Sequence, residues 1–356
     1  MADRALATSP RIAVVAAGSA RGELGGAERF YLGLTNALCA IGYKAELINV
    51  VSDEATFDSI KASYLRFYDL DMTAFDGVIS TKAPSYALRH PNHVCYLVHT
   101  MRVFYDMFDV EFPNAPAQLQ AQRDFIQRLD TGCLQAPRTR KILSIGEEVT
   151  ARLTSYNNLD AEVLHPTTTL SGFQTGTYDY IFAPGRLHRW KRVDLAINAM
   201  RHVRRPVKLL ISGDGEDSAY FHNLAGTDDR ILFVGRVSDQ RLLELYSKAL
   251  AVLFAPLRED LGLITFEAFL SEKPVITCID SGEPARIVQN GKTGFVCAAD
   301  PQDIAKQIEF LFDNPDQARR MGKMGYQSIA HLSWHRVARR LGEALGFAAT
   351  PAQKEV

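Results

Sequence analysis

Short apolar runs of four to eight residues alternate along this chain with amphipathic stretches of ten or more, and the alternation occurs twice. Such runs, apolar on both faces, suit parallel strands buried by helices on each side, which limits the chain to α/β architectures. In the first half the runs are Arg11–Ala17, Ala45–Val51, Gly77–Ser80, Val94–Val98, Lys141–Ile145 and Ala161–Leu164. Between the first two, Phe30, Leu34, Ala37, Leu38 and Ile41 follow a 3.6-residue period over Ala27–Ile41, and Gly42 supplies the stop. In the second half the rhythm restarts with Tyr180–Ala183, Val207–Ser212, Ile231–Val234, Ala251–Ala255, Val275–Ile279 and Gly294–Val296, with helical segments such as Val193–Val203, Gln240–Ala249 and Asp303–Phe312 in the gaps.

The Thr-, Gly- and Ser-rich stretch His165–Gly176 separates the two series and reads as a linker. The expectation is two βαβ domains of similar size in 356 residues, which suits a chain too long for one typical domain. After Pro315 the pattern is wholly helical, through Gln317–Leu332 and Trp334–Leu345, and the last helix needs a surface to pack on; the first domain is a candidate. The tail Ala348–Val356 reads as disordered.

Composition narrows the function classes. With 40 basic against 41 acidic residues, the net charge of −1 gives no bulk field for nucleic acid or an anionic membrane, so an anion site must be built locally. Five scattered cysteines (39, 95, 133, 278, 297) without a CxxC pair fit reduced thiols in a cytosolic protein. His331 and His335 have helical i,i+4 spacing but no third ligand nearby in sequence, so a packed or surface pair is expected, not a metal site. The polar N-terminal stretch does not read as a signal peptide, and no stretch approaches a membrane span, so neither is expected.

Open parallel sheets bind ligands at the carboxyl ends of their strands, and four stretches follow such ends. Gly18–Glu28 carries glycines at 18, 22, 25 and 26 into a helix start, where bare amides and the helix dipole suit an anion; a flexible connector is the alternative, and these residues alone do not favour the anion site over it. Gly185–Asp194 packs Arg186, Arg189, Lys191 and Arg192 near a helix start, where cations oppose the dipole. A bound diphosphate would compensate, gripped bidentately by Arg186 and by Lys191 as a point charge; a solvated basic loop is the alternative. Ser212–Glu216, with Gly213, faces the same crevice as Gly235-Arg236-Val237, whose backbone groups suit a nucleobase, although tight turns explain both segments equally well. In REDLGLITFEA, a strand end leads to a helix expected near Leu263, with Glu259 in the loop and Glu267 about a turn into the helix. Acids at a helix start are stabilised by the dipole. Glu267, set among Phe266, Ala268, Phe269 and Leu270, reads as buried and therefore wants hydrogen-bond donors such as sugar hydroxyls.

Taken together these stretches resemble the retaining glycosyltransferases of GT-B fold, specifically the GT4 family, also called glycosyl transferases group 1. The resemblance rests on the paired acid E-x7-E (Glu259, Glu267) around Leu261-Gly262-Leu263, on G-R-x4-K-x2-D (Gly185, Arg186, Lys191, Asp194), on the Gly282-to-Val296 stretch, on Gly25-Gly26, and on His99 closing CYLVHT. It implies two Rossmann-like domains facing a central cleft: an acceptor-side domain over residues 1–170, completed by a helix at about 331–349 that crosses back to it, and a nucleotide-sugar donor domain over 171–330. By the same resemblance Arg186 and Lys191 would hold the diphosphate and stabilise the leaving group without a metal, with Gly26 amides approaching the same phosphates. Glu267 would accept the ribose hydroxyls, Glu259 and the amides around Leu261–Ile264 would bind the transferred sugar, and His99 would lie by the reacting sugar. Paired carboxylates suggest a glycosidase scheme, but the resemblance implies front-face displacement, with Glu259 a holder and no nucleophile. Where the family commonly has Gly-Gly-x-x-Glu, this chain reads Gly282-Glu283-Pro284-Ala285-Arg286, and Leu261 stands where Phe is common. These departures bear on sugar or acceptor preference more than on fold.

The expected activity is metal-independent transfer of a hexose, with retention, from a UDP- or GDP-sugar to a glycan, lipid-linked or other acceptor, as in bacterial polysaccharide or glycoconjugate assembly. No cofactor or nucleic-acid partner is expected, and the expected location is cytoplasmic; peripheral contact at the inner membrane face stays open. The rivals are another GT-B enzyme, such as a nucleotide-sugar epimerase or a sugar phosphorylase, and a non-catalytic nucleotide-sugar binding protein. A dinucleotide oxidoreductase is disfavoured because no GxGxxG follows a strand. Thr100–Pro137 carries no readable motif: Arg102, Tyr105 and Asp106 suit an acceptor or a packed aromatic loop, and Arg123, Arg128 and Arg138 make no convincing membrane patch.

Overall fold

The computed structural model describes residues 9–18 and 26–347, with no account of the side chains of 26 and 27. The chain folds as two compact units, one of residues up to 169 together with those from 332 onward, the other Leu170–His331.

The first unit opens with strands β1 (Arg11–Gly18), β2 (Lys44–Val51), β3 (Gly77–Ser80), β4 (His93–Leu97), β5 (Lys141–Ser144) and β6 (Glu162–Val163). Its helices before the crossing to the second unit are α1 (Gly26–Ala40), α2 (Phe57–Tyr68), α3 (Phe108–Glu111), α4 (Ala117–Leu134) and α5 (Glu147–Asn157). The strands pair in parallel in the order β2-β1-β3-β4-β5-β6. Ile12 to Ala17 of β1 are buried on both faces, the physical content of an uninterrupted apolar run.

The second unit contains β7 (Tyr180–Pro184), β8 (Lys208–Ser212), β9 (Ile231–Gly235), β10 (Ala249–Leu253), β11 (Val275–Cys278) and β12 (Gly294–Cys297). Its helices are α6 (Val193–Met200), α7 (Ser218–Ala225), α8 (Asp239–Lys248), α9 (Leu263–Leu270), α10 (Glu283–Ile287), α11 (Pro301–Asp313) and α12 (Pro315–Ile329). The parallel order is β12-β11-β10-β7-β8-β9. From β7 the chain runs outward through β8 and β9, returns to β10 on the other flank of β7, and runs outward again. Crossovers therefore leave β7 and β10 in opposite directions, and the carboxyl ends of this central pair form the topological switch point of a Rossmann-like sheet. A single core joins Ile181, Ile197, Leu209, Leu253, Ile276, Ile304 and Ile308 across sheet and helices.

The last helix, α13 (Trp334–Ala344), returns to the first unit. Trp334 sets its ring 5.4 Å from Phe30 of α1 and donates from Nε1 to the Thr168 carbonyl at 3.2 Å. Arg340 grips Glu162 of β6 through two bonds of 2.5 and 2.6 Å. This is the expected two-domain α/β architecture, and its terminal helix crosses back to the first unit.

Three readings need correction or completion. His331 lies in the turn between α12 and α13, while His335 sits on α13, so the pair never shares a helix. Thr100–Pro137 is largely helical: Phe104, Tyr105 and Phe108 are buried and Arg102 pairs with Asp106 at 3.0 Å, which makes it packed structure. Arg123 lies over the Phe108 ring and Arg138 donates to the Ala87 carbonyl, so both serve intramolecular contacts. The tail 348–356 lies outside the described residues.

Candidate active site

The switch point of the second unit is lined by the loop from β7 to α6 and the loop from β10 to α9. After Pro184 the chain makes a 3-10 turn over Arg189–Lys191, passes Arg192 at φ 49°, and enters α6. Asp194 lies in the first turn of α6, where burial raises its pKa against the bonds it takes from helix-start backbone. The β10 loop is held from two sides. Leu257 N–H donates to the Trp190 carbonyl at 2.7 Å, while Arg258 and Glu259 donate to the carbonyls of Asp280 and Ser281, each at 2.9 Å. Gly262 must be glycine: its φ is 72°, and a Cβ there would sit 2.6 Å from the Phe254 ring and 2.9 Å from Pro284.

These constraints deliver two charges to one spot. Lys191 Nζ donates to both carboxylate oxygens of Glu259 at 2.7 Å, with the side chains 26% and 19% exposed. The cationic cluster was expected to need a compensating anion, and in the described residues carboxylates meet it: Glu259 on Lys191, and Glu216 on Arg186 through two bonds of 3.0 Å. The second pair is far more exposed, at 68% and 47%, so it adds little stability and exchanges readily for another anion. His188, beside Glu216, is held below the ordinary histidine range by burial, which outweighs the carboxylates near it.

Glu267 occupies the second turn of α9 and is 9% exposed. Tyr246 Oη donates to its Oε2 at 2.7 Å. Burial, followed by the Glu267 charge, pushes the Tyr246 phenol well above its ordinary range, so it stays a donor. The two acids of the E-x7-E motif thus have separate partners, one in the β7 loop and one on α8.

The glycine turns also meet. Gly213 N–H donates to the Gly235 carbonyl at 2.8 Å, which uses one backbone group of the Gly235-Arg236-Val237 segment; Arg236 is exposed and Val237 half-buried. A Cβ on Gly213 would stand 1.9 Å from the Gly185 carbonyl oxygen, so the β7 and β8 loops touch through backbone. Ile264 at the start of α9 packs toward Gly185, Leu261 is buried and Leu263 half-buried. Glu283 is 1% exposed, and its N–H donates to the Glu259 carbonyl, which places this departure from the family pattern directly under the site.

In the first unit, Gly25 lies outside the described residues and Gly26 is the first residue of α1. His99 follows the carboxyl end of β4, half-buried, with Nδ1 2.7 Å from the Thr100 carbonyl and its own carbonyl accepting from Ala83 N–H. Sequence reasoning missed Tyr246, Glu216 and Asp280 as partners. The only local signal was a hydroxyl on the apolar face of the expected Gln240–Ala249 helix. Among the described residues no cluster of three or more His, Cys, Asp or Glu converges, and no helix is long and apolar enough to cross a membrane.

Comparison with known proteins fits this geometry. Residues 172–328, nearly the whole second unit, match the family model of the glycosyl transferases group 1. The chain is 24% identical over 203 residues to alpha-1,3/1,6-mannosyltransferase ALG2 of Homo sapiens; the match spans 48% of each, about half the human protein's length. Among solved structures it resembles sucrose-phosphate synthase from Thermosynechococcus elongatus, with TM-score 0.74 and 16% identity over 94% of this chain and 98% of that one. It also resembles Anabaena Alr3699/HepE, solved in complex with UDP-glucose, with TM-score 0.70 and 13% identity over 95% and 99%. At these identities the two structures establish the fold.

Proposed function

We propose that this protein transfers a hexose from a nucleoside-diphosphate sugar to a glycan or lipid-linked acceptor, with retention and without a metal; the match of its second unit to the glycosyl transferases group 1 supports this reading. The observation that carries this reading is the Lys191–Glu259 couple at the switch point of a Rossmann-like sheet, beside the exchangeable Arg186–Glu216 pair. Breaking a sugar–diphosphate bond builds negative charge on the departing phosphate and positive charge on the sugar. In this reading Arg186 exchanges Glu216 for phosphate oxygens and grips them through its planar fork, while the Lys191 ammonium neutralises the charge that grows in the transition state. That local cation pair is the reason no metal is invoked.

Glu259 has both oxygens committed to Lys191, which suits holding a sugar hydroxyl better than attacking carbon. Glu267, fixed by Tyr246, receives the ribose hydroxyls, and the Gly213 and Gly235 turns border the base. The roles of Gly26 and His99 rest on the family resemblance alone. The solved relative holding UDP-glucose supports a nucleotide-sugar donor.

The test is nucleotide release from UDP-, GDP- and ADP-sugars, with and without candidate acceptors, in buffer containing EDTA. Release with one donor in EDTA, and a product whose anomeric proton coupling matches the donor's, is the expected result. Lys191→Ala should abolish both donor binding and turnover; unchanged nucleotide-sugar affinity in that variant removes Lys191 from the site.

A further inference from the structure

Arg192 has no part in the functional reading above, yet it is among the most constrained residues of the second unit. Its backbone takes φ 49°, a left-handed conformation that side-chain-bearing residues seldom hold. Its side chain is 15% exposed and its guanidinium donors converge on three targets. Nε donates to the Ala255 carbonyl at 2.8 Å and Nη2 to the Pro256 carbonyl at 2.8 Å. Nη1 and Nη2 close a two-pronged bridge to Asp280 at 2.7 and 2.6 Å.

These targets anchor the loop that carries Glu259, from its start and from a neighbouring turn. Ala255 and Pro256 begin it, just past β10. Asp280 belongs to the turn after β11, whose backbone holds the middle of the loop through Arg258 N–H to Asp280 O and Glu259 N–H to Ser281 O. Arg192 is also the covalent neighbour of Lys191. We propose that Arg192 is a positioning residue: its guanidinium, clamped to Asp280 and to two strand-end carbonyls, fixes the Lys191 ammonium against the Glu259 carboxylate. The proposal rests on reading that couple as the donor site, and it adds the residue that sets its geometry. Lysine cannot substitute, since one ammonium cannot reach two carbonyls and both oxygens of a carboxylate in the fixed directions of a planar fork.

Arg192→Gly separates positioning from folding. Glycine accepts the left-handed φ freely, so the variant relieves backbone strain while removing the clamp. Two readouts are taken on the full chain, with Arg192→Lys alongside. The first is competitive labelling of lysines with acetic anhydride, followed by peptide mass spectrometry. In the wild type Lys191 should react slowly because Glu259 holds its Nζ; in Arg192→Gly it should react about fivefold faster or more, as an ammonium freed from its charge-assisted bonds does. Lys273, 0% exposed in the same unit, reports unfolding and should stay unlabelled in both. The second is steady-state nucleotide release, in which kcat should fall about tenfold or more with KM within about twofold, the signature of lost alignment. Arg192→Lys should fall between.

Unchanged Lys191 labelling in Arg192→Gly overturns the clamp. So does parallel labelling of Lys273, which would assign Arg192 to fold stability, and so does wild-type kcat despite faster labelling. If labelling rises as expected but the wild type releases nucleotide from no donor, the clamp stands and the transferase reading falls.

Discussion

Replacing Tyr246 by Phe tests how Glu267 is held, because the change removes one oxygen and leaves the ring in place. The ring is fully buried and packs edge-on to Phe182 at 5.1 Å, contacts that Phe reproduces. What is lost is the 2.7 Å bond from Oη to Glu267 Oε2. A buried hydrogen bond to a carboxylate contributes about 1.5–3 kcal/mol, so a loss of about 2 kcal/mol is expected. For a unit of roughly 160 residues, at about 2–4 °C per kcal/mol, that lowers Tm by about 4–8 °C. The assay is urea unfolding of wild type, Tyr246→Phe, Glu267→Gln and the double variant. The cycle should return a coupling of about 1 kcal/mol or more, because both single variants break the same bond. On the proposed function, nucleoside diphosphate affinity should also fall, by up to about tenfold, since a carboxylate free to rotate meets the ribose less often in the right pose; tenfold is about 1.4 kcal/mol. A Tyr246→Phe stability within about 0.5 kcal/mol of wild type, with strictly additive double-variant effects, refutes the reasoning.

Two further outcomes follow from the structure. Gly213→Ala forces a Cβ to within 1.9 Å of the Gly185 carbonyl oxygen at φ 119°, so a loss of about 3 kcal/mol or more and collapse of nucleotide binding are expected from the clash and backbone strain together; denaturant titration and nucleotide calorimetry read both. In the first unit Asp130 is wholly buried, accepting from Tyr64 and Tyr105, and burial pushes its carboxyl from 3.8 up to about 6 despite those bonds. The folded protein therefore holds this proton more tightly than the unfolded chain. Its contribution is fully present below pH 3.8 and is lost as pH rises through about 6. The gap is worth about 3 kcal/mol, so wild-type stability measured against Asp130→Asn should decline across that window, and a flat difference would refute the raised carboxyl pKa.

What the sequence determined by itself was local. The apolar runs and their glycine stops fixed where strands end and helices begin, because a strand's burial on both faces and a helix's 3.6-residue stripe are written in neighbouring residues. Every apolar run expected as a strand overlaps one, and the helix at Leu263 begins where the Leu-Gly-Leu step placed it. The four loops after strand ends were therefore legible as candidate sites, and the burial of Glu267 could be read from its apolar neighbours. Tertiary structure decided which of these loops meet. Only the strand order β12-β11-β10-β7-β8-β9 puts the ends of β7 and β10 side by side. Lys191 then finds Glu259 across 68 residues, Arg192 finds Asp280 across 88, and Tyr246 finds Glu267 across 21. No periodicity encodes such pairs, because they depend on long crossovers and on backbone ladders between turns. Sequence identified the charges that need partners, and the three-dimensional fold supplied carboxylates as those partners.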